Sequence, residues 1–208
     1  MKKPHALIFD LGNVLLPIDL DKTYEAFALY SSLYSAEDIK LITQEEQLWS
    51  KYEAGLQSDN EFETFIIDRL QLTCDSEQFQ VAFNALLLSF DETLCQYIKS
   101  LKSSFPIYLL SNTSNIHARL FLNLEYPNYN LFDAFNRVHL SFKMGVVKPD
   151  VSIYKQIVND NQLHDHHIIF YDDNKHNIES ALNFGWDAIL IDPQNSLHQI
   201  QQHIESLC

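Results

Sequence analysis

Basic residues are scarce in this chain: 14 Lys and Arg stand against 28 Asp and Glu, for a formal charge of -14. Binding a nucleic-acid backbone needs a Lys/Arg patch or stripe that displaces counterions, and no such stretch is visible. Nucleic acid is therefore not expected as a partner, and an anionic substrate would need a local exception. Cysteine is scarcer still. Cys74, Cys95 and Cys208 are odd in number and far apart, with no C-x-x-C pair and no neighbouring His pattern. That argues against a disulfide framework and a zinc site, and reduced thiols in the cytoplasm are expected. No apolar run approaches the roughly 20 residues that span a bilayer, so no membrane segment is expected. The opening MKKP followed by apolar residues imitates a secretory leader, but Asp10 interrupts the run and no small-residue cleavage site follows. The run is expected to be a core strand instead, in a soluble protein. Glycine occurs only four times. Gly55 and Gly185 fall at expected helix ends, Gly145 in an expected turn, and Gly12 directly after the first strand. Repeats and low-complexity tracts are absent as well.

What the chain does have is the material of an ordinary globular protein. Hydrophobic residues make up 46%, aromatics 12% and charged residues 20%, which excludes disorder as a serious reading. At 208 residues there is room for one α/β core and a smaller lobe, hence for one active site. Four apolar runs rich in β-branched or aromatic residues read as buried strands: Ala6 to Phe9, Ile107 to Leu110, Ile168 to Tyr171 and Ala188 to Ile191. A weaker candidate covers Arg137 to Leu140. Helical patterns separate them, including one after Pro149, placed in a first helical turn, and one from Ile178 to Phe184 that stops at Gly185. Strands alternating with helices predict an α/β fold: a Rossmann-like parallel sheet with helices on both faces.

The stretch from about Leu20 to Phe90 differs, because it holds no convincing strand and reads as an all-helical insert. Ser35 with Asp38 and Ser58 with Glu61 fit capping boxes. Phe62, Phe65, Ile66 and Leu70 fall on one helical face, as do Phe79, Phe83, Leu86 and Leu87, and supply the insert's core. With junctions near Pro17 and Asp91, residues 1–17 and 91–208 form the expected core domain and 18–90 a small helical domain.

Four strand ends carry chemistry. In IFDLGNVLL a buried strand delivers Asp10 to its carboxyl end and then breaks at Gly12 and Asn13, the place where open parallel sheets bind ligands. A carboxylate there can attack phosphorus and form an aspartyl-phosphate, although an Asp after a strand is also an ordinary turn former. In IYLLSNTSN the strand ends at Ser111, whose hydroxyl, with free N–H groups of Asn112 and Thr113, would face an anion at a helix N-terminus. Ordinary N-cap chemistry explains the same residues. In GVVKPD, Lys148 stands where its ammonium could neutralise an attacking carboxylate and phosphate oxygens, while a lone lysine is commonly a solvated charge. In IIFYDDN, Asp172 and Asp173 end a buried strand side by side, with Asn177 one turn later. Such a pair wants a cation, and hard oxygen ligands suit Mg2+.

In order and spacing these four motifs, DLGNV, LLSN, KPD and DDNKHN, resemble those of the haloacid dehalogenase superfamily, whose cap is often a helical insert between the first two. The match covers nearly the whole chain, and YEAGLQSDNEF resembles a stretch common in such caps. The resemblance implies that Asp10 is the nucleophile, that Ser111, Asn112 and Lys148 hold the substrate phosphate, and that Asp10, Gly12 through its carbonyl, Asp172 and Asp173 ligate Mg2+. Of the adjacent pair Asp173 is expected as the direct ligand, with Asn177 orienting the pair. A phosphatase of a small organic phosphate, with sugar phosphates favoured, is the implied function.

The usual second aspartate of D-x-D, which moves the protons, is replaced here by Gly12. DLGNV resembles a bacterial subgroup containing glucose-1-phosphatases. A chain without that acid is expected to favour easily departing leaving groups, sugar 1-phosphates over 6-phosphates. An L-2-haloacid dehalogenase also lacks the second aspartate, and a catalytically silent binding or scaffold protein could keep the fold. Asp19 reads either as a helix cap or as a substrate contact. His117 and the His164, His166 and His167 cluster read as structural.

Overall fold

The computed structural model describes residues 5–123 and 130–207; the MKKP start and Cys208 lie outside the described residues. Five strands form one sheet: β1 (His5–Phe9), β2 (Ile107–Ser111), β3 (Arg137–Leu140), β4 (His167–Asp172) and β5 (Asp187–Leu190). All pairings are parallel and the order is β3-β2-β1-β4-β5. β1 therefore lies in the middle, and the chain builds outward from it first on one side, then on the other. That reversal opens a crevice at the carboxyl ends of β1, β2 and β4. All five expected strands are present. The expected 188–191 segment is shifted by one residue, and Ile191 leaves the strand to be buried in the core.

Alternation along the strands sends side chains to two apolar layers. Leu7, Phe9, Ile107, Leu109, Ile169 and Tyr171 face one layer, closed by α6 (Glu92–Leu101), α7 (Asn115–Phe121) and α11 (Ser196–Leu207). Ala6, Ile8, Tyr108, Leu110, Ile168 and Phe170 face the other, closed by α9 (Val151–Asp160) and α10 (Lys175–Phe184). Burial on both faces explains why these strands read as unbroken apolar runs.

Between β1 and α6 lie α1 (Leu20–Ala28), α2 (Ala36–Glu46), α3 (Ser50–Glu53), α4 (Asp59–Leu70) and α5 (Ser76–Asn84). They gather round a third cluster in which Phe62 stacks on Tyr52 with ring centroids 4.0 Å apart. Each such ring removed from water contributes about 1.5–3 kcal/mol. Both expected capping boxes are formed, and Asp75 with Gln78 makes a further one at α5. Two expectations about apolar faces need correction. Phe65 is 40% exposed. α5 stops at Asn84, so Leu86 and Leu87 lie beyond the helix, where the outgoing chain pairs with the incoming one: Ile18 bridges Leu87, Asp19 N–H donates to Leu86 O, and Leu88 N–H to Pro17 O. Ile116 of α7 also belongs to the third cluster, so the helices are packed onto the sheet-bearing part as well as tethered to it.

Pro149 stands before the N-cap of α9 and not in its first turn. Asp150 is the cap, accepting from Ser152 N–H. Asp19 caps α1, accepting from Asp21 N–H, which is the structural one of its two readings. Gly185 ends α10 at φ 99° as expected. Among the described residues no helix is long and apolar enough to cross a membrane.

Candidate active site

β1 holds Asp10 at the crevice by one more rung of pairing, since Asp10 N–H donates to Tyr171 O at 2.9 Å. The chain then folds back within a few residues: the N–H groups of Leu15 and Leu16 both donate to Leu11 O. The reversal falls on Asn13, at φ 57°, and not on Gly12, which is absent from the left-handed positions. Asn tolerates that conformation better than most residues. Its side chain then ties two motifs together, Nδ2 donating to Asp173 Oδ2 at 3.1 Å while Oδ1 accepts from Ile18 N–H. In the sequence Asn13 stands within DLGNV with no role of its own. An Asn directly after a Gly that closes a strand was the available signal.

The expected cluster is assembled. Lys148 Nζ lies 2.7 Å from Asp10 Oδ1 and 2.6 Å from Asp172 Oδ2, and donates to Leu110 O at 3.1 Å. Asp172 is fully buried and receives further donors from Asn174 N–H and from Asn177 Nδ2, the latter to both oxygens. Burial by itself pulls the Lys148 ammonium down, but the two carboxylates outweigh it and hold the group protonated well above its ordinary range. Burial pushes Asp10 up to about 7, with Lys148 pulling it down and Asp172 pushing it up. Asp173 is raised by burial, with the Asn13 hydrogen bond opposing. One oxygen from each of Asp10, Asp172 and Asp173 lies within 4.8 Å of the others. Three carboxylates against one ammonium leave a surplus of negative charge, and a hard divalent cation is the natural remedy. The donor set fits Mg2+.

The second motif is arranged differently from expectation. Ser111 is buried, and its hydroxyl makes only a long 3.4 Å contact to Asn112 O, so it is available to a ligand. The Asn112 side chain is committed elsewhere: Nδ2 donates to Lys148 O at 2.9 Å and Oδ1 accepts from Lys148 N–H at 2.8 Å. It positions the lysine. Thr113 N–H is likewise taken, by Ser141 Oγ at 2.9 Å, and α7 begins only at Asn115 with Ser114 as its cap. The N–H of Thr113 therefore does not face an anion at a helix N-terminus, because Ser141 reaches it first from another element.

A cavity of about 260 Å3 opens beside these residues, lined by Gly12, Ser111, Asn112 and His117 together with Trp49 and Glu53 from the intervening helices. His117 is stacked on Phe83 at 4.1 Å and bonded through Nδ1 to Asn84 Oδ1, and burial lowers it to about 3. Lowered so far, the ring is neutral near pH 7, held between α5 and α7. His167 starts β4 and pairs with Asp187 at the amino edge of the sheet, away from the crevice. Glu53 was not singled out from sequence. The acidic cluster and Lys148 are not in the lining of the 260 Å3 cavity, which reaches the site through Gly12, Ser111 and Asn112, nor in that of a second cavity of about 350 Å3 between Asn13 to Pro17 and the start of α11.

Comparison with known proteins bears on this arrangement. The sequence profile of the haloacid dehalogenase-like hydrolases matches residues 4–185. D-ribitol-5-phosphate phosphatase of Bacteroides thetaiotaomicron is 26% identical over 191 residues, covering 91% of each chain. A predicted HAD-like family hydrolase of Porphyromonas gingivalis has the same fold, with a TM-score of 0.87 at 23% identity over 98% of each chain. So has a HAD family enzyme of Bacteroides thetaiotaomicron solved with magnesium and inorganic phosphate, with a TM-score of 0.77 at 24% identity over 92% of this chain and 95% of that one.

Proposed function

The chain belongs to the haloacid dehalogenase-like hydrolases, and from that premise we propose that it is a Mg2+-dependent phosphatase of a small sugar- or polyol-type phosphate ester. The observation that carries this reading is the ion-paired cluster at the crevice, in which Lys148 bridges Asp10 and Asp172 within a few ångströms of Asp173. A relative named for D-ribitol 5-phosphate and a fold neighbour holding magnesium and inorganic phosphate support it.

In this reading Asp10 attacks phosphorus, and the bond to the leaving oxygen breaks as an aspartyl-phosphate forms. Lys148 opposes the burial that raises Asp10 and so favours its ionised form, it offers positive charge to the phosphoryl oxygens, and Ser111 gives them its free hydroxyl. Asn112 acts one step removed, by fixing the Lys148 backbone. Asp10, the Gly12 carbonyl and Asp173 would hold Mg2+. Asp173 is preferred to Asp172 because both oxygens of Asp172 are already occupied by donors, whereas Asp173 receives one from Asn13. Bound there, the cation supplies charge stabilisation for the phosphoryl group. Residues 18–90 would act as a cap on the core of residues 1–17 and 91–208, closing the cavity over the substrate.

The reading is tested by presenting purified protein with a panel of phosphate esters in Mg2+ or EDTA, with chloroacetate alongside. Phosphate release that EDTA abolishes, and that Asp10→Asn reduces by at least about 10³-fold while the melting curve stays put, is the expected result. Chloride release in its place would identify a dehalogenase, and silence on every substrate a binding protein.

A further inference from the structure

Gly12 leaves the reaction without a proton carrier at the usual position, and the cavity that opens beside Gly12 is lined by a carboxyl from the intervening helices, Glu53, the last residue of α3. The backbone around it is pinned to the sheet-bearing part on both sides. Glu53 O accepts from Ser141 Oγ at 2.6 Å, and the same hydroxyl oxygen accepts from Thr113 N–H in the loop after β2. Tyr52 OH donates to Asp59 Oδ1 at 2.6 Å and accepts from Ile116 N–H at 3.2 Å. Gly55 lies so close to Phe142 that a Cβ there would sit 2.1 Å from its carbonyl oxygen. A four-residue helix held this firmly carries a carboxyl with no structural duty, since its carbonyl, not its side chain, makes the anchoring bond. Burial raises that carboxyl to about 7, against the pull of Lys148.

We propose that Glu53 is the acid and base of this phosphatase, moving the protons that Gly12 cannot. The proposal rests on the phosphatase reading given above. As Asp10 bonds to phosphorus and the bond to the leaving oxygen breaks, the Glu53 carboxylic acid gives its proton to that oxygen and becomes a carboxylate. In the second step the carboxylate takes a proton from water while the water oxygen bonds to phosphorus. The Asp10 oxygen then leaves phosphorus with its electron pair, and inorganic phosphate departs. The alcohol carries one water proton equivalent and the enzyme returns to its starting state. With a proton donor in the cavity, alkyl phosphates become competent substrates, and the absence of an aspartate at position 12 no longer requires a preference for sugar 1-phosphates.

The test compares Glu53→Gln with wild type on two esters in Mg2+: the best primary alkyl phosphate of the panel, and p-nitrophenyl phosphate, whose leaving group departs unprotonated. The expected result is a fall in kcat/KM of about 10²–10³-fold for the alkyl ester and of no more than about threefold for the aryl ester, where departure needs no acid. The variant should also release one equivalent of nitrophenolate in a burst, because water then attacks the phosphoenzyme without a base. Glu53→Asp, which keeps a titrating group, should recover part of the alkyl activity. Equal losses on both esters, or a change confined to KM, would overturn the proposal by assigning Glu53 to structure or to substrate binding. If wild type cleaves both esters and Glu53→Gln cleaves them equally well, Glu53 falls and the phosphatase reading stands. If wild type cleaves neither, the phosphatase reading falls and takes the proposal with it.

Discussion

Removing the Lys148 ammonium would leave Asp10 and Asp172 without a counter-charge in a place where Asp172 is fully buried and Lys148 only 3% exposed. Breaking a buried ion pair from one side costs about 3–5 kcal/mol, because the charge left behind has neither water nor partner. Lys148→Met should therefore lower stability by about that amount in denaturant melts, several times the effect of truncating an exposed lysine. The loss should shrink when Asp10→Asn is added, since one of the two facing carboxylates is then neutral. A Lys148→Met protein as stable as wild type would mean that the acidic pair finds another counter-charge. The same residue explains the fate of Asn112. The sequence reading puts the backbone N–H of Asn112 on the phosphate; the fold adds a separate duty for its side chain, since Lys148, 36 residues later, takes both ends of the amide.

His117 joins two elements, donating its ring to a stack on Phe83 of α5 from its place on α7. Its folded value, about 3, lies below the ordinary 6.5 because burial disfavours the charged ring. The unfolded chain then binds the extra proton between those values, so this contribution to stability is complete above about pH 6.5 and is lost as the pH falls toward 3. His117→Gln, which keeps a donor for Asn84, should flatten the decline of stability between pH 6 and 4 by up to about 1.4 kcal/mol per pH unit. Carboxylates that titrate in both proteins cancel in the comparison, and identical slopes would count against the assignment. Elements were the most legible scale in the sequence. Strands buried on both faces announce themselves as apolar runs, and Ser-x-x-Asp or Ser-x-x-Glu states a helix start in four letters. What escaped depends on partners distant in sequence. The start of α7 moved to Ser114 because Ser141 captured Thr113. α5 ended early because Leu86 and Leu87 were needed at the neck. Glu53 lies inside YEAGLQSDNEF, the stretch that resembles those of caps, but that resemblance assigns it no role, and nothing local distinguishes a carboxyl in a cavity from one in water.

At the scale of the molecule, the helical part is joined to the sheet-bearing part in three ways among the described residues. One is the neck, where the segments around Ile18 and Leu87 pair. Another is the packing of α5 on α7, through His117 on Phe83 and Asn84, and the third is the contact of α3 with α8 (Ser141–Met144), through Ser141 Oγ on Glu53 O, beside that of Asp59, the first residue of α4, with Asn115 Nδ2 and with Arg119 at 3.3 Å. The neck alone would act as a two-stranded hinge, and of the other contacts the one between α3 and α8 holds the backbone of Glu53 itself. Gly55 lies at this contact. Gly55 has φ 69°, and its absent Cβ would meet the Phe142 carbonyl, a backbone atom that cannot swing aside. Gly145 has φ 73° with nothing within 4 Å of a Cβ, so Gly145→Ala measures the conformational cost alone, about 1–2 kcal/mol. Gly55→Ala adds a forced separation of α3 from α8. It should lose more stability than Gly145→Ala and, in addition, at least about tenfold in kcat/KM, since a displacement of about 1 Å at a reacting group costs up to about 10²-fold. Gly145→Ala should keep wild-type turnover. Matching melting temperatures and matching turnover for the two variants would show that the neck, and not the α3 contact, positions the cavity wall.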